Sequence, residues 1–330
     1  MTTAPLPSRP FPHRRAALGV LALAIALFAQ SACQTNSRPG GPGTAYEPIP
    51  GNQGGDYPDP NAAATQPRPT LASFPVGGQD TFAPSRAVPG VTARAAIVIH
   101  ANTGRVLYEK NADTRLPIAS TQKLLLGLMV AEAGDLNKRI TVQKSDTWAE
   151  PTIMGIKTGE TYRKADLLKA VLVRSSNDIA RCLARDHSGS DAAFAAAMDR
   201  RARSLGMNNS HFTNSNGLPS PPGQFSTARD LSILATHCMR NAFIRDAVST
   251  KAMTFTHADG RTVPVRNTNK VLTTFPYCTG MKTGYTNAAG RCLVSSASYR
   301  GKNVIVVILG SQTPNVWNES QALLQWGLGM

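Results

Sequence analysis

Beyond residue 90 the apolar positions fall into runs of two kinds. Residues 95–100 read Ala-Ala-Ile-Val-Ile-His, and after the turn Asn102-Thr103-Gly104 the segment 105–109 returns as a second strand. The block 120–130 carries Leu124, Leu125, Leu126, Leu128 and Met129, apolar nearly all round, which predicts a buried helix rather than a surface one. Helical spacing recurs over 164–173, 177–187, 191–205 and 227–239, with Ser190 and Ser226 as N-caps and Gly206 as a C-terminal stop. Strand-like segments then flank Asp259-Gly260, a hairpin signal, and continue near 278–285, 291–298 and 303–310. A helix over 314–328 closes the chain. Two strands, a run of helices, then strands and a helix predict an α+β fold. Its antiparallel sheet, shared by sequence-distant strands, is flanked by helices. The helices in between form an all-helical lobe, and an active site is expected in the cleft between the two.

The first ninety residues break this pattern. They hold 15 of the 23 prolines, no lysine, six arginines and four acids, so +13 of the net +15 falls on residues 91–330. Arg9, Arg14 and Arg15 precede an uncharged apolar run, 16–29. As a helix this run reaches ~21 Å, short of the ~30 Å core of a bilayer. A basic start, a short apolar run and small residues after it predict an export signal over 1–32. Ser31-Ala32-Cys33 resembles the end of a bacterial lipoprotein signal, with Cys33 as the lipidated residue and Gln30 where that pattern usually carries Leu. An ordinary signal followed by an incidental cysteine is the other reading. Residues 33–90, with stretches such as Pro39-Gly40-Gly41-Pro42-Gly43, read as a disordered tether ahead of a folded domain over 91–330. The expected location is the periplasm or the outer face of the cell membrane, with an N-terminal membrane anchor if Cys33 is lipidated.

Composition narrows the function. An apolar share of 42% excludes wholesale disorder. Cys182, Cys238, Cys278 and Cys292 read as buried thiols, with a Cys278–Cys292 pair across neighbouring strands as the alternative. No C-x-x-C occurs and the six histidines are scattered, so no metal is expected. Basic runs never exceed two residues and aromatics make up 6%, which argues against nucleic acid. The excess charge suits an anionic wall polymer or membrane face.

Three short motifs carry the chemistry. Ser120-Thr121-Gln122-Lys123 sets a hydroxyl and an amine three residues apart at a helix start, on one face. Serine needs a base to become a nucleophile, and a lysine buried by the following leucines can be that base. Capping beside a solvated charge is the plain alternative. Ser175-Ser176-Asn177 offers a hydroxyl and an amide in a turn, suited either to proton relay or to capping the helix that follows. Lys282-Thr283-Gly284 lies in a strand, where Lys and Thr can grip a carboxylate and Gly284 lets a substrate backbone approach. Lys157-Thr158-Gly159 repeats the letters but sits in a loop ahead of the Ser-x-Asn element, and is set aside.

In this order the three elements form the motif set of penicillin-binding proteins and serine β-lactamases. Ser175-Ser176-Asn177-Asp178, Asn214-Ser215-Asn216-Gly217-Leu218, Asn267-Thr268-Asn269-Lys270 and Gly280-Met281-Lys282-Thr283-Gly284-Tyr285-Thr286 add to it. Residues 91–330 resemble the low-molecular-mass D-alanyl-D-alanine carboxypeptidases, serine peptidase family S11. The resemblance implies a β-lactamase/transpeptidase-like fold and no cofactor. It implies that Ser120 attacks the bond between the terminal D-alanines of a peptidoglycan stem peptide and that Lys123 takes its proton. The backbone N–H groups of Ser120 and Tyr285 would form the oxyanion hole. Ser175 and Asn177 would pass a proton to the leaving group and orient the peptide, while Lys282 and Thr283 bind its carboxylate. β-Lactams would acylate Ser120.

Two positions depart from the family pattern. Ser176 stands where Gly is usual, which threatens to crowd the turn, and Tyr285 occupies a variable place where it can shape substrate choice. Met330 follows soon after the last helix, so no further β-rich domain or C-terminal anchor is expected. An endopeptidase that cuts D-alanyl cross-links fits the same residues. A β-lactamase fits less well, because no Glu occurs between Glu160 and Glu319 to activate a deacylating water. A non-catalytic wall-binding protein would not need all four of Ser120, Lys123, Asn177 and Lys282.

Overall fold

The strands richest in branched apolar residues occupy the middle of the sheet. The computed structural model describes Met1 and residues 86–330. The export signal, Cys33 and the tether up to residue 85 lie outside the described residues. β1 (Ala95–His100) is buried at all six positions, and β9 (Lys302–Ser311) is buried without a break from Val304 to Leu309. Continuous burial of this kind means that both faces are covered. The strand order is β2 (Val106–Lys110), β1, β9, β8 (Gly290–Tyr299), β7 (Cys278–Thr286), with every neighbouring pair antiparallel.

Alternate residues serve the two faces. Val98, Leu293, Val306 and Ile308 pack under α8 (Asn315–Leu328) with Leu323, Leu324 and Trp326. Ile97, Val294, Ile305 and Val307 face the helical lobe, whose centre is α1 (Lys123–Glu132). In α1, Leu124, Leu125 and Leu126 have no exposed surface, as expected for a helix apolar all round. Truncating one of these leucines to Ala would cost about 2–5 kcal/mol. Around α1 lie α2 (Lys164–Arg174), α3 (Asn177–Ser188), α4 (Asp191–Leu205), α5 (Ala228–Arg240) and α6 (Ala242–Ser249). The hairpin of β5 (Ala252–Thr256) and β6 (Thr262–Arg266) and the short α7 (Val271–Thr274) lead back to the sheet.

Several boundaries move from their sequence positions. Residues 119–122 form a 3₁₀ turn, so α1 begins at Lys123 rather than at Ser120. Ser190 caps α4 by accepting from Ala193 N, and Gly206 ends it at φ 89°. Ser226 does not cap α5. Its backbone pairs with Leu116, and the helix starts one residue later, with Thr227 accepting from Asp230 N. α6 and the three-residue strands β3 (Arg139–Thr141) and β4 (Thr161–Arg163) were not anticipated. Three residues carry no readable period, and α6 follows α5 through the single residue Asn241, whose side chain caps it. Residues before β1 are docked onto α8. Trp326 Nε1 donates to Arg86 O at 2.8 Å, and Thr92 Oγ1 donates to Glu319 Oε1 at 2.6 Å. Among the described residues no helix is long and apolar enough to cross a membrane.

Candidate active site

Lys123 is the first residue of α1, one turn past Ser120, and it carries no exposed surface. Its Nζ lies 2.8 Å from Ser120 Oγ, 2.8 Å from Asn177 Oδ1 and 2.5 Å from Asn216 O. Burial, reinforced by nearby Lys282, holds its pKa well below the ordinary value, with Asp178 opposing. A neutral amine has two N–H donors and one lone pair. The two carbonyl oxygens can take the donors, which leaves the lone pair for the serine hydroxyl. Ser120 itself is half-buried, and its Oγ lies 3.2 Å from Asn216 O.

Ser175, Ser176 and Asn177 form the break between α2 and α3. Ser175 ends α2 in the left-handed region at φ 71°, a conformation that costs a non-glycine residue about 1 kcal/mol or more. Ser176 has φ −61°, so a side chain is accommodated where the family usually has Gly. None of these side chains is spent on capping α3: Ser176 Oγ makes no cap bond and Asn177 Oδ1 accepts from Lys123. The next residue, Asp178, is buried and accepts from the backbone N–H groups of Met154, Gly155 and Ile156. Asn177 N donates to Thr152 O at 2.7 Å, so one helix start fixes both Asn177 and the neighbouring loop.

β7 is the edge strand that faces this turn. Lys282, paired in register with Val294, points toward the helical lobe and has no exposed surface. Its Nζ donates to Ser175 Oγ at 2.8 Å and to Thr283 O at 3.1 Å, and burial lowers its pKa to about 7. The sequence placed Lys282 and Thr283 as a direct grip on a carboxylate. The structure adds a contact to each: Lys282 reaches Ser175, and Thr283 Oγ1 lies 2.7 Å from Thr268 Oγ1. Gly284 meets a packing demand as well. A Cβ there would stand 2.7 Å from Ile118 O and 3.1 Å from Ser120 N, so glycine lets β7 pack against the turn that bears Ser120. Tyr285 follows, about half exposed, with its hydroxyl donating to Asn287 Oδ1 and the Arg291 guanidinium 4.2 Å from its ring centre.

A profile of the peptidase S11 family, described as D-alanyl-D-alanine carboxypeptidase, matches residues 81–313. The chain belongs to this family. D-alanyl-D-alanine carboxypeptidase DacB2 of Mycobacterium tuberculosis is 32% identical over 248 residues, 74% of this chain and 84% of the relative. DacC of Escherichia coli is 36% identical over 254 residues, and the match spans 72% of this chain but only 62% of that longer protein. A D-alanyl-D-alanine endopeptidase of E. coli is 32% identical over 228 residues, 67% of this chain and 72% of the relative. Among solved structures, a D-alanyl-D-alanine carboxypeptidase from M. tuberculosis H37Rv superposes with a TM-score of 0.71 at 30% identity, covering 75% of this chain and 96% of that one. These neighbours share the α+β fold of the penicillin-binding DD-peptidases.

One contributor to the S11 site was quoted in the sequence without a role. Asn216 supplies its backbone carbonyl to both Ser120 and Lys123. The loop that holds it is tied by Asn214 Oδ1, which accepts from Gly217 N at 2.8 Å, and Asn214 O accepts from Gln122 Nε2 at 2.6 Å. Gly217, at φ 87°, lies so close to the Ala119 and Ser120 backbone that a Cβ would overlap it. The Asn-x-Asn-Gly word was the visible signal; a carbonyl role has no residue signature.

The rejected triplet Lys157-Thr158-Gly159 is a turn between β3 and β4, where Lys157 N donates to Glu160 Oε2 and Gly159 N to Val142 O. Glu319 binds Thr92 and Ser311 on the α8 face of the sheet. Cys182, Cys238, Cys278 and Cys292 are buried free thiols. Cys278 faces Ala297 and Cys292 faces Gly284, so the two are out of register for pairing. Burial pushes both thiols up to about 11. Among the described residues no group of His, Cys, Asp and Glu could hold a metal ion.

Proposed function

We propose that this S11 peptidase removes the terminal D-alanine from peptidoglycan stem peptides through an acyl-enzyme on Ser120. The contact that carries the reading is the Lys123 amine, buried, depressed in pKa and held 2.8 Å from Ser120 Oγ by two carbonyl acceptors. Ser120 Oγ attacks the carbonyl carbon between the two D-alanines, and its proton passes to Lys123 Nζ. The backbone N–H groups of Ser120 and Tyr285 hold the oxyanion that forms. Collapse breaks the C–N bond, and the proton held by Lys123 passes by way of Ser175, whose hydroxyl is polarised by Lys282, to the leaving amine, which returns Lys123 to the neutral amine. The substrate carboxylate sits at Thr283, with the Lys282 charge close behind it. Water then attacks the ester as Lys123 takes its proton, the C–O bond to Ser120 breaks, Lys123 returns the proton to Ser120 Oγ, and the shortened peptide leaves. No step calls for a metal or organic cofactor.

β-Lactams mimic the D-alanyl-D-alanine terminus, and opening of the ring amide by Ser120 Oγ acylates it. Intact-mass spectrometry of the full chain with benzylpenicillin should show one lasting adduct, mapped to the peptide that bears Ser120, and a D-Ala-D-Ala-terminated pentapeptide should release free D-alanine. Rapid drug hydrolysis with little adduct remaining would assign a β-lactamase instead. The match to a D-alanyl-D-alanine endopeptidase favours a second reading, cleavage of D-alanyl cross-links. Conversion of a cross-linked muropeptide dimer into monomers, faster than D-alanine release, would select it.

The same reading places the enzyme outside the cytoplasm, in the periplasm or on the outer face of the membrane. The basic start and short apolar run of residues 1–32 support export, and Ser31-Ala32-Cys33 supports lipid attachment at Cys33. Palmitate labelling that disappears in Cys33→Ala is the expected result; a mature N-terminus without lipid would remove the anchor.

A further inference from the structure

A cavity of about 320 Å³ opens where the first residues of β7 and the last of β8 meet the C-terminus of α5. It is separate from the S11 cleft: Thr279, in its wall, precedes Gly284 by five residues, about 17 Å along a strand. Its volume is at the lower end of the range for small-molecule sites. Two guanidinium groups line it, from Arg240 at the end of α5 and Arg245 in α6, and no acidic side chain does. Arg245 Nη1 donates to Met239 O at 2.8 Å, which fixes the guanidinium while its Nη2 and Nε remain for a ligand.

The remaining polar wall is also rich in donors. Thr279 Oγ1 and Ser296 Oγ lie 2.8 Å apart, so one hydroxyl proton is used between them and the other is left to donate. Asn102 accepts from Asn303 through Oδ1, which leaves its amide N–H groups. Ala101, Met239 and Val304 supply an apolar floor. Cations and donors on an apolar floor, without a carboxylate, match an oxyanion carried on a short apolar stem.

We propose that this cavity is a second binding site of the protein, for a carboxylate or phosphate group, distinct from the peptidase cleft. The test is calorimetric titration of the full chain, with Ser120 first acylated by benzylpenicillin, using inorganic phosphate and, separately, succinate at low ionic strength. One probe or both should bind with 1:1 stoichiometry, and Arg245→Gln should weaken binding at least tenfold while capturing benzylpenicillin normally. Preference for phosphate assigns the site to a phosphate-bearing polymer, and preference for succinate to a carboxylate-bearing peptide. Because Arg245 also holds the end of α5, Arg240→Gln and Thr279→Val are titrated in parallel, each expected to weaken binding. Absence of binding by both probes, or affinities unchanged in all three variants, would overturn the proposal. Benzylpenicillin capture reads the cleft and titration reads the cavity, so either reading can fail without the other.

Discussion

Two lysine–serine pairs of equal length sit on either side of the catalytic turn, and they are built in opposite ways. Lys123 and Ser120 lie three residues apart on one turn, whereas Lys282 and Ser175 are 107 residues apart and meet only because β7 docks against the α2–α3 break. Both amines are fully buried and both N–O distances are 2.8 Å. They differ in their other acceptors. Lys123 has two further carbonyl oxygens, while Lys282 has one, from its neighbour Thr283. The first set leaves a lone pair for its serine. The second favours a donor that polarises its serine. Equal distances therefore leave an amine suited to act as a base in one pair and one suited to polarise its serine in the other.

The largest effect that can break this contrast is loss of the base. Lys123→Ala should slow benzylpenicillin acylation about 10²–10⁴-fold; acylation near the normal rate would remove Lys123 from that role. Next comes Lys282→Gln, which should slow acylation by roughly 10²-fold. It also removes the like charge that helps depress Lys123. The Lys123 pKa then rises, and the acidic limb of the pH–acylation profile should move to higher pH. An unmoved limb would mean that the two amines are not coupled.

A third prediction concerns stability. Lys282 titrates near 7 in the folded chain and near 10.4 when unfolded. Between those values the unfolded chain binds more protons, so stability rises with pH through the window, and the gain is lost as pH falls toward 7. Denaturant midpoints of the wild type should climb from pH 7 to pH 8, and the climb should be shallower in Lys282→Met. Staying below pH 8 keeps the cysteine thiols from opposing the trend, since burial pushes their pKa values up. The smallest effect tests the matching triplet. Lys157→Ala, in an exposed turn, should change acylation negligibly and stability by less than about 0.5 kcal/mol.

The contrast also explains what could be read from the sequence. Ser120 and Lys123 were legible because a helical turn converts a spacing of three into proximity. So was the buried nature of α1, from its run of leucines. The motif order identified Ser175, Asn177 and Lys282 as members of the site, but not that Lys282 reaches Ser175. That contact depends on β7 sitting at the sheet edge opposite the α2–α3 break, which no local period encodes. Gly284 was assigned to substrate approach, and the nearby Ile118 and Ser120 backbone shows a closer demand. The Asn216 carbonyl was hidden for another reason, since every residue has one. Ser226 failed as a cap because its backbone was already paired with Leu116, a tertiary constraint that outweighs local preference.

The clasp between residue 86 and α8 has a mechanical consequence. Arg86 is held through its carbonyl by Trp326 and through its guanidinium by Met330 O, and Thr92 by Glu319. A pull applied at residue 86 is therefore delivered first to α8, and through it to β8 and β9, on the opposite face of the sheet from Ser120. Tension arriving from that side is borne by the buried central strands β8 and β9 before any of it reaches Ser120.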